Sequence, residues 1–319
     1  MLYLTLLNGY YNKAMNSAQS LCSESIKQLA FKTGFDAVGI ARAEPVAKTE
    51  MYQRQDWIKS GMNAQMSYLE RNTDLRSNPG LLLSGCKSII VLASSYHSEI
   101  SSKIIAQYAL GDDYHDVLRQ KVKPITDLLN QHGFTTRVCV DTAPMAERYW
   151  AVKAGIGFIG LNSLLIVPNI GSRVFLVEIL TDAILEPDSP CELSCKKCGK
   201  CISCCPGKAI NENKTVDARR CLSYLTIEYR GDFPDDLNIH GRLYGCDRCQ
   251  DVCPHNQHSV SLTFKEFEPR PDVVNLTVEQ AASMTQEQFS KMFKGSAIKR
   301  TKLAGLTRNA LQILKNRKD

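Results

Sequence analysis

No stretch of this 319-residue sequence approaches the roughly 18 to 20 consecutive apolar residues needed to cross a bilayer, so a membrane-spanning helix is excluded. The opening MLYLTLLNGYYNKAM lacks a basic segment before its apolar stretch and a small-residue cleavage site, and no arginine pair stands near the start. Those absences argue against a secretory signal and against export in the folded state. The expectation is a short extension over residues 1–20, with Met15 as an alternative start, on a cytoplasmic protein. A disulfide framework is also lacking. Of thirteen cysteines, ten crowd between Cys191 and Cys253 in short, regular spacings, which in a non-secreted chain argues for metal. Charge of one sign is scarce only locally. The net charge is +6, but from Gln288 to Asp319 nine lysines and arginines face one acid, a cluster that suits a polyanion such as nucleic acid.

What is there reads as a globular chain, 44% hydrophobic and 23% charged. Residues 21–186 alternate helix and strand. SESIKQLAFKTG is an amphipathic helix stopping at Gly34, and FDAVGIARA and CKSIIVLASS are strands, the second apolar enough to be buried on both faces. GDDYHDVLRQKVKPITDLLNQHG is a helix interrupted near Pro124 and ended at Gly133. The strand TTRVCVD then leads to a helix from Pro144 to about Lys153, and SLLIVP and SRVFLVEIL are strands joined at Asn169-Ile170-Gly171. This pattern predicts an α+β or α/β domain whose sheet is covered by helices, with its ligand near strand ends and the loops that follow. Residues 187–260 form a cysteine module, and 261–319 a basic segment of small helices, the last from about Ala297 to Asn316.

The spacing Cys195-x2-Cys198-x2-Cys201-x3-Cys205-Pro206 is that of a bacterial ferredoxin, in which three thiolates hold one 4Fe–4S cube and the fourth reaches the other. The second run, Cys246-x2-Cys249-x3-Cys253-Pro254, lacks its first cysteine, for Leu243 stands there. Crossing then assigns Cys195, Cys198, Cys201 and Cys253 to one cluster and Cys205, Cys246 and Cys249 to the other. Cys221, between the runs at the start of CLSYLTIEY, is the best fourth ligand; Cys191, upstream of the first run, is the alternative, while Cys204, adjacent to Cys205, would point elsewhere. Two such clusters make a wire, and a wire needs an acceptor in the domain before it.

Three motifs in that domain bear on chemistry. Asp141 ends a strand just before a helix, where either an active-site acid or a helix cap belongs, and composition alone favours the cap. Glu147 and Arg148 read as ion-pair formers. Gly155, Gly157 and Gly160 follow a helix and precede a strand, the reverse of a dinucleotide fingerprint, so nucleotide binding is rejected. Asp113-Tyr114-His115 opens like a cobalt-ligating motif of corrinoid proteins, but Leu118 replaces its glycine, leaving His115 as a surface or structural residue.

Taken in order, Val140-Asp141-Thr142-Ala143-Pro144, Glu147-Arg148, AGIGFIGLNSLLI, the first cysteine run, Arg220-Cys221-Leu222-Ser223-Tyr224-Leu225-Thr226, and Arg242 through Pro254 resemble the epoxyqueuosine reductase family over most of the chain. The resemblance implies a cobalamin-binding domain related to that of reductive dehalogenases, then a ferredoxin-like module with two 4Fe–4S clusters, then a short helical tail. It implies Cys221 as the eighth cluster ligand, cobalamin without a protein histidine on cobalt, and Asp141 as proton donor rather than cap. Leu161 departs from the family, where lysine is common. Asn162, Ser163, Ser223 and Asp247 are the residues expected to line the corrin. The implied reaction reduces an epoxide in the modified anticodon base of tRNA to an alkene, completing queuosine synthesis. It takes two electrons from an external low-potential donor and two protons. Lys299, Arg300, Lys302 and Arg308 are then expected on tRNA phosphates, in a monomer. The alternatives are a cobalamin-dependent dehalogenase and a non-catalytic two-cluster electron carrier.

Overall fold

The computed structural model describes residues 22–257 and 259–317, so the expected N-terminal extension lies outside the described residues. Its centre is a four-stranded sheet of β1 (Ala37–Arg42), β2 (Ser88–Ser95), β3 (Thr136–Cys139) and β6 (Val174–Thr181), in the order β1-β2-β6-β3. Every neighbouring pair is antiparallel. The class is therefore α+β. Alternation of helices and strands in the sequence does not fix strand direction, which long connections leave free.

The period of two decides what each face buries. On one face Ile90, Leu92, Phe175, Val177 and Ile179 meet Ile26, Ala30, Leu118, Ile125 and Leu129 of the helices Ser23–Lys32, Tyr114–Lys121 and Lys123–Gln131. On the other, Ile89, Val91, Ala93 and Leu180 meet Trp150 and Ala151 of the helix Glu147–Lys153. β2 is buried along its whole length, as its apolar run requires.

Two details differ from the sequence reading. Pro144 stands in the loop before the helix Glu147–Lys153, not in its first turn. Beyond the turn at Asn169 and Gly171, both at positive φ, the strands part company. β5 (Leu165–Ile166) pairs with β4 (Phe158–Ile159) in a separate hairpin, while β6 enters the main sheet.

The cysteine module and the tail do not stand apart from this body. Ile227, Ile239, Leu243 and Tyr244 share a core with Ile105 and Leu110 and with Val273, Phe293, Leu306 and Ile313 of the tail. Phe264 and Phe267 insert into the first face of the sheet. Asn309, fully buried on the helix Lys302–Asn316, donates to the Thr226 and Leu243 carbonyls at 2.8 and 2.9 Å.

One group breaks the apolar pattern. Glu178, on β6 between Leu176 and Leu180, is 0% exposed, and neither carboxylate oxygen has a hydrogen-bond partner. Burial, reinforced by the charges of Glu147 and Asp141, raises its carboxyl well above the ordinary glutamate range, so it is held neutral. A raised carboxyl stabilises the fold at low pH and loses that contribution as pH climbs. Above about pH 4.5 the unfolded chain ionises first, costing at most about 1.4 kcal/mol per pH unit. Glu178→Gln removes this slope. Its urea midpoint relative to the wild type is expected to improve steadily from about pH 5 to about pH 8, and a constant difference would show the carboxyl to be ionised in the fold.

Candidate active site and cluster cavities

Asp141 follows β3 on a backbone at φ +49°, a conformation that non-glycine residues adopt when their surroundings hold them there. Several groups do so. The Glu147 carboxylate accepts the Asp141 backbone N–H, the Arg76 guanidinium donates to the Met145 carbonyl at 3.2 Å, and Arg119 donates to the Thr142 hydroxyl at 3.3 Å. The next helix begins at Glu147 with Ala146 as its cap and no side-chain capping bond. Asp141 is therefore not the cap that composition favoured.

The Asp141 carboxyl is instead turned to a histidine. His115 Nε2 lies 3.2 Å from Asp141 Oδ2, and His115 Nδ1 lies 2.7 Å from Asp113 Oδ1. Asp113 is the cap of the helix Tyr114–Lys121, also accepting the His115 backbone N–H, which explains the Asp-x-His spacing. The Tyr114 ring stacks on His115 at 4.1 Å and on Phe175 of the sheet at 4.5 Å, fixing the imidazole from below. Burial opposes charge on His115, but the hydrogen bonds and charges of Asp113 and Asp141 outweigh it and push the imidazole up to about 9. Partial burial likewise raises Asp141, yet His115, with a hydrogen bond from Tyr114, holds it below the usual carboxylate range. At neutral pH the pair is imidazolium and carboxylate. Burial, then the Asp141 charge, pushes Glu147 up to about 7. His115 was legible as a motif but not as a member of this site, because Asp141 lies 26 residues away in sequence.

The thiols gather into two groups. Cys195, Cys198, Cys201 and Cys253 line one cavity, whose remaining wall includes Gly160, Leu161, Asn162, Pro254 and His255. Burial raises the Cys221, Cys246 and Cys249 thiols. Beyond burial, Cys249 feels the charges of Cys221, Cys246, Cys204 and Cys205, and Cys221 that of Cys205. Cys204 donates its thiol to the Arg248 carbonyl at 3.3 Å. Among the described residues no three metal-binding side chains close around a single ion. Four thiolates on a cube each meet a different iron and stand farther apart than ligands of one ion.

Comparison with known proteins agrees with this geometry. A family model described as a 4Fe-4S double cluster binding domain matches residues 194–256, and one described as epoxyqueuosine reductase QueG, DUF1730, matches residues 76–142. The epoxyqueuosine reductase of Cellulophaga algicola is 37% identical over 295 residues, covering 90% of this chain and 96% of its own length. That of Escherichia coli K12 is 37% identical over 87% of this chain and 76% of its own. The chain belongs to the epoxyqueuosine reductase family. Among solved structures in that family, an epoxyqueuosine reductase crystallised with an epoxyqueuosine-modified tRNA-Tyr stem loop superposes with a TM-score of 0.84 at 31% identity, covering 91% of this chain and 80% of that one. The Bacillus subtilis enzyme, with its catalytic aspartate loop swung out of the active site, gives 0.83 at 29% identity over the same shares.

The other residues expected at the site are distributed unevenly. Asn162 is 5% exposed. Its Oδ1 accepts the Leu164 N–H at 3.4 Å, while its buried Nδ2 has no partner. Ser163, at φ +64°, is gripped by Arg148 through both its carbonyl and its hydroxyl. The 160–163 segment thus joins the first thiol cavity to the helix that follows Asp141. Ser223 lies in the first turn of Leu222–Ile227, directly after Cys221. Asp247, nearly buried, accepts the Gln107 N–H at 2.7 Å and the Gln250 amide at 3.3 Å, and so orders the second cysteine run. Arg308 departs from its expected role. Its guanidinium donates to the carbonyls of Leu225, Tyr229 and Gly231 and lies 4.0 Å over the Phe233 ring, leaving none of it for a phosphate. Lys299, Arg300 and Lys302 are exposed, with Arg300 clasped by Glu228 at 2.8 and 2.9 Å.

This grouping predicts an iron count. After anaerobic reconstitution the wild type holds about eight irons per chain. Cys221→Ala, which strips one thiol from the second group, is expected to fall towards about four, with the first cluster intact by electron paramagnetic resonance. An undiminished count would move the eighth ligand to Cys204 or Cys191.

Proposed function

We propose that this chain reduces epoxyqueuosine in the tRNA anticodon to queuosine, converting the epoxide to an alkene with loss of water. The observation that carries this reading is the His115–Asp141 pair that follows β3, in a chain of this family that also gathers Cys195, Cys198, Cys201 and Cys253 around one cavity. Cys195, Cys198, Cys201 and Cys253 hold one 4Fe–4S cluster, and Cys205, Cys221, Cys246 and Cys249 the other. Cobalamin is the further group that these residues would hold, and one observation favours it above others. The unpartnered Asn162 Nδ2 is a buried donor that asks for an acceptor, and Ser163 beside it and Ser223 would help to hold the same group. When loaded, the clusters and corrin supply single electrons and a strongly reducing, nucleophilic metal.

The chain's own residues manage the proton. Opening an epoxide places charge on oxygen, and a positioned acid lowers the barrier. Asp141 is ionised at rest, so the proton is stored on His115 and delivered through the Asp141 carboxyl. Asp113 holds the far imidazole nitrogen, which keeps the ring oriented and favours its charged form. Glu147, by accepting the Asp141 N–H, keeps the loop turned inward.

The substrate is recognised by charge and shape. Lys299 and Lys302 form the basic edge that meets the stem-loop backbone, and the anticodon base splays out to reach the site. Electrons come from an external low-potential donor. The protein works as a monomer in the cytoplasm, and no described helix is long and apolar enough to cross a membrane.

The test is an anaerobic assay of the loaded protein on an epoxyqueuosine-bearing stem loop. Wild type forms queuosine, and Asp141→Asn lowers kcat by about 100-fold or more. For His115 the sign follows from its raised value. The imidazolium is present below about 9 and lost above it, so wild-type kcat falls on the alkaline side. His115→Gln lowers kcat and abolishes that limb. Wild-type protein that consumes no epoxyqueuosine, or an Asp141→Asn variant of full activity, overturns the reading.

A further inference from the structure

Tyr68 is two-fifths exposed, on a short turn over Ser67–Leu69 that neither the cysteine arithmetic nor the proton path uses. A single exposed aromatic is ordinary. This one differs in being fixed on every side while its ring stays open to solvent. Arg54 donates to the Leu69 carbonyl, Asn63 to the Glu70 carboxylate at 2.7 Å, and the Gln65 N–H to the Tyr224 hydroxyl at 3.0 Å. The last bond moors the turn to the helix that begins after Cys221. Arg76, a few residues downstream, grips the loop of Asp141 through Met145. The turn is therefore tied to the cluster module, and the helix that follows it to the Asp141 loop.

The ring also has a cation. The Arg300 guanidinium lies 5.6 Å from the Tyr68 centroid, held there by its two bonds to Glu228 and by Arg230, which donates to the Arg300 carbonyl at 2.8 Å. Glu228 offsets much of the Arg300 charge, which suits a planar stacking partner better than a phosphate clamp. Arg300 and Asp141 both stand close enough for their charges to act on the Tyr68 hydroxyl. Among the described residues, no other exposed large apolar side chain carries a cation on its ring.

We infer that Tyr68, backed by Arg300, is the platform on which the splayed anticodon base stacks while its epoxide reaches Asp141. The ligand class is a planar nucleobase at the end of a single-stranded loop, which proteins hold by aromatic and guanidinium stacking. This rests on the proposed reaction and adds the residue that presents the substrate to it.

The experiment measures binding of an epoxyqueuosine-bearing anticodon stem loop to the reconstituted protein by fluorescence anisotropy, together with turnover. Tyr68→Ala is expected to raise Kd about 10-fold or more, while Tyr68→Phe and Tyr68→Trp stay within about twofold of wild type, since either ring still stacks. Iron content and thermal midpoint of all three match wild type, which separates lost stacking from lost folding. Tyr68→Ala that binds as wild type overturns the platform, and so does one that loses kcat at unchanged Kd, which would make the turn a support for the Asp141 loop. A wild type that binds the stem loop yet leaves the epoxide intact defeats the proposed reaction while the stacking comparison is still read from Kd. A wild type that does not bind it defeats both.

Discussion

His115 lies between two carboxylates, Asp113 on one ring nitrogen and Asp141 on the other, and its charge ties the start of one helix to the end of β3. Remove that charge and the loop after β3 keeps only the Glu147, Arg76 and Arg119 contacts to hold Asp141 at positive φ. The arrangement answers a conflict that a lone aspartate would face. An acid strong enough to be ionised at neutral pH makes a poor proton donor, and an acid kept neutral by burial would have to leave the cleft that the substrate enters. In the proposed reaction, a proton held on the imidazole and delivered through the carboxylate would separate the two demands.

Around that pair the protein arranges further carboxyls at graded depth. Asp141 is at the surface of the cleft and ionised, Glu147 is pushed to about 7, and Glu178 on the sheet below is neutral. Each charge raises the next, so no second full negative charge is added beneath Asp141. The same logic governs the positive side. Arg308 is spent on three carbonyls and an aromatic ring, and Arg300 on Glu228 and Tyr68, so the basic tail is less basic towards solvent than its composition suggests.

The cluster module owes its placement to shared packing. Leu243 stands where a plain ferredoxin would have cysteine, and it is fully buried in a core with the tail helices. In the proposed ligand set Cys221 makes up the missing thiol, at the head of a helix whose C-cap, Glu228, binds Arg300.

The sequence by itself determined the elements and the cysteine grouping. Local periodicity marks β2 and the helices, and cluster ligation depends on short spacings that a tight turn enforces, so both can be read within a few residues. It also yielded Asp141 as a candidate, through its strand-end position and the family resemblance, though not the reason that it cannot be a cap. Tertiary structure alone decided the antiparallel order of the sheet, the meeting of His115 with Asp141, the burial of Glu178, and the internal bonds of Asp247 and Arg308. Each of these depends on groups brought together from distant parts of the chain or on what covers a side chain. Spacing along a chain reports turns and faces, but whether a charge is free, paired or buried is settled by what folds over it.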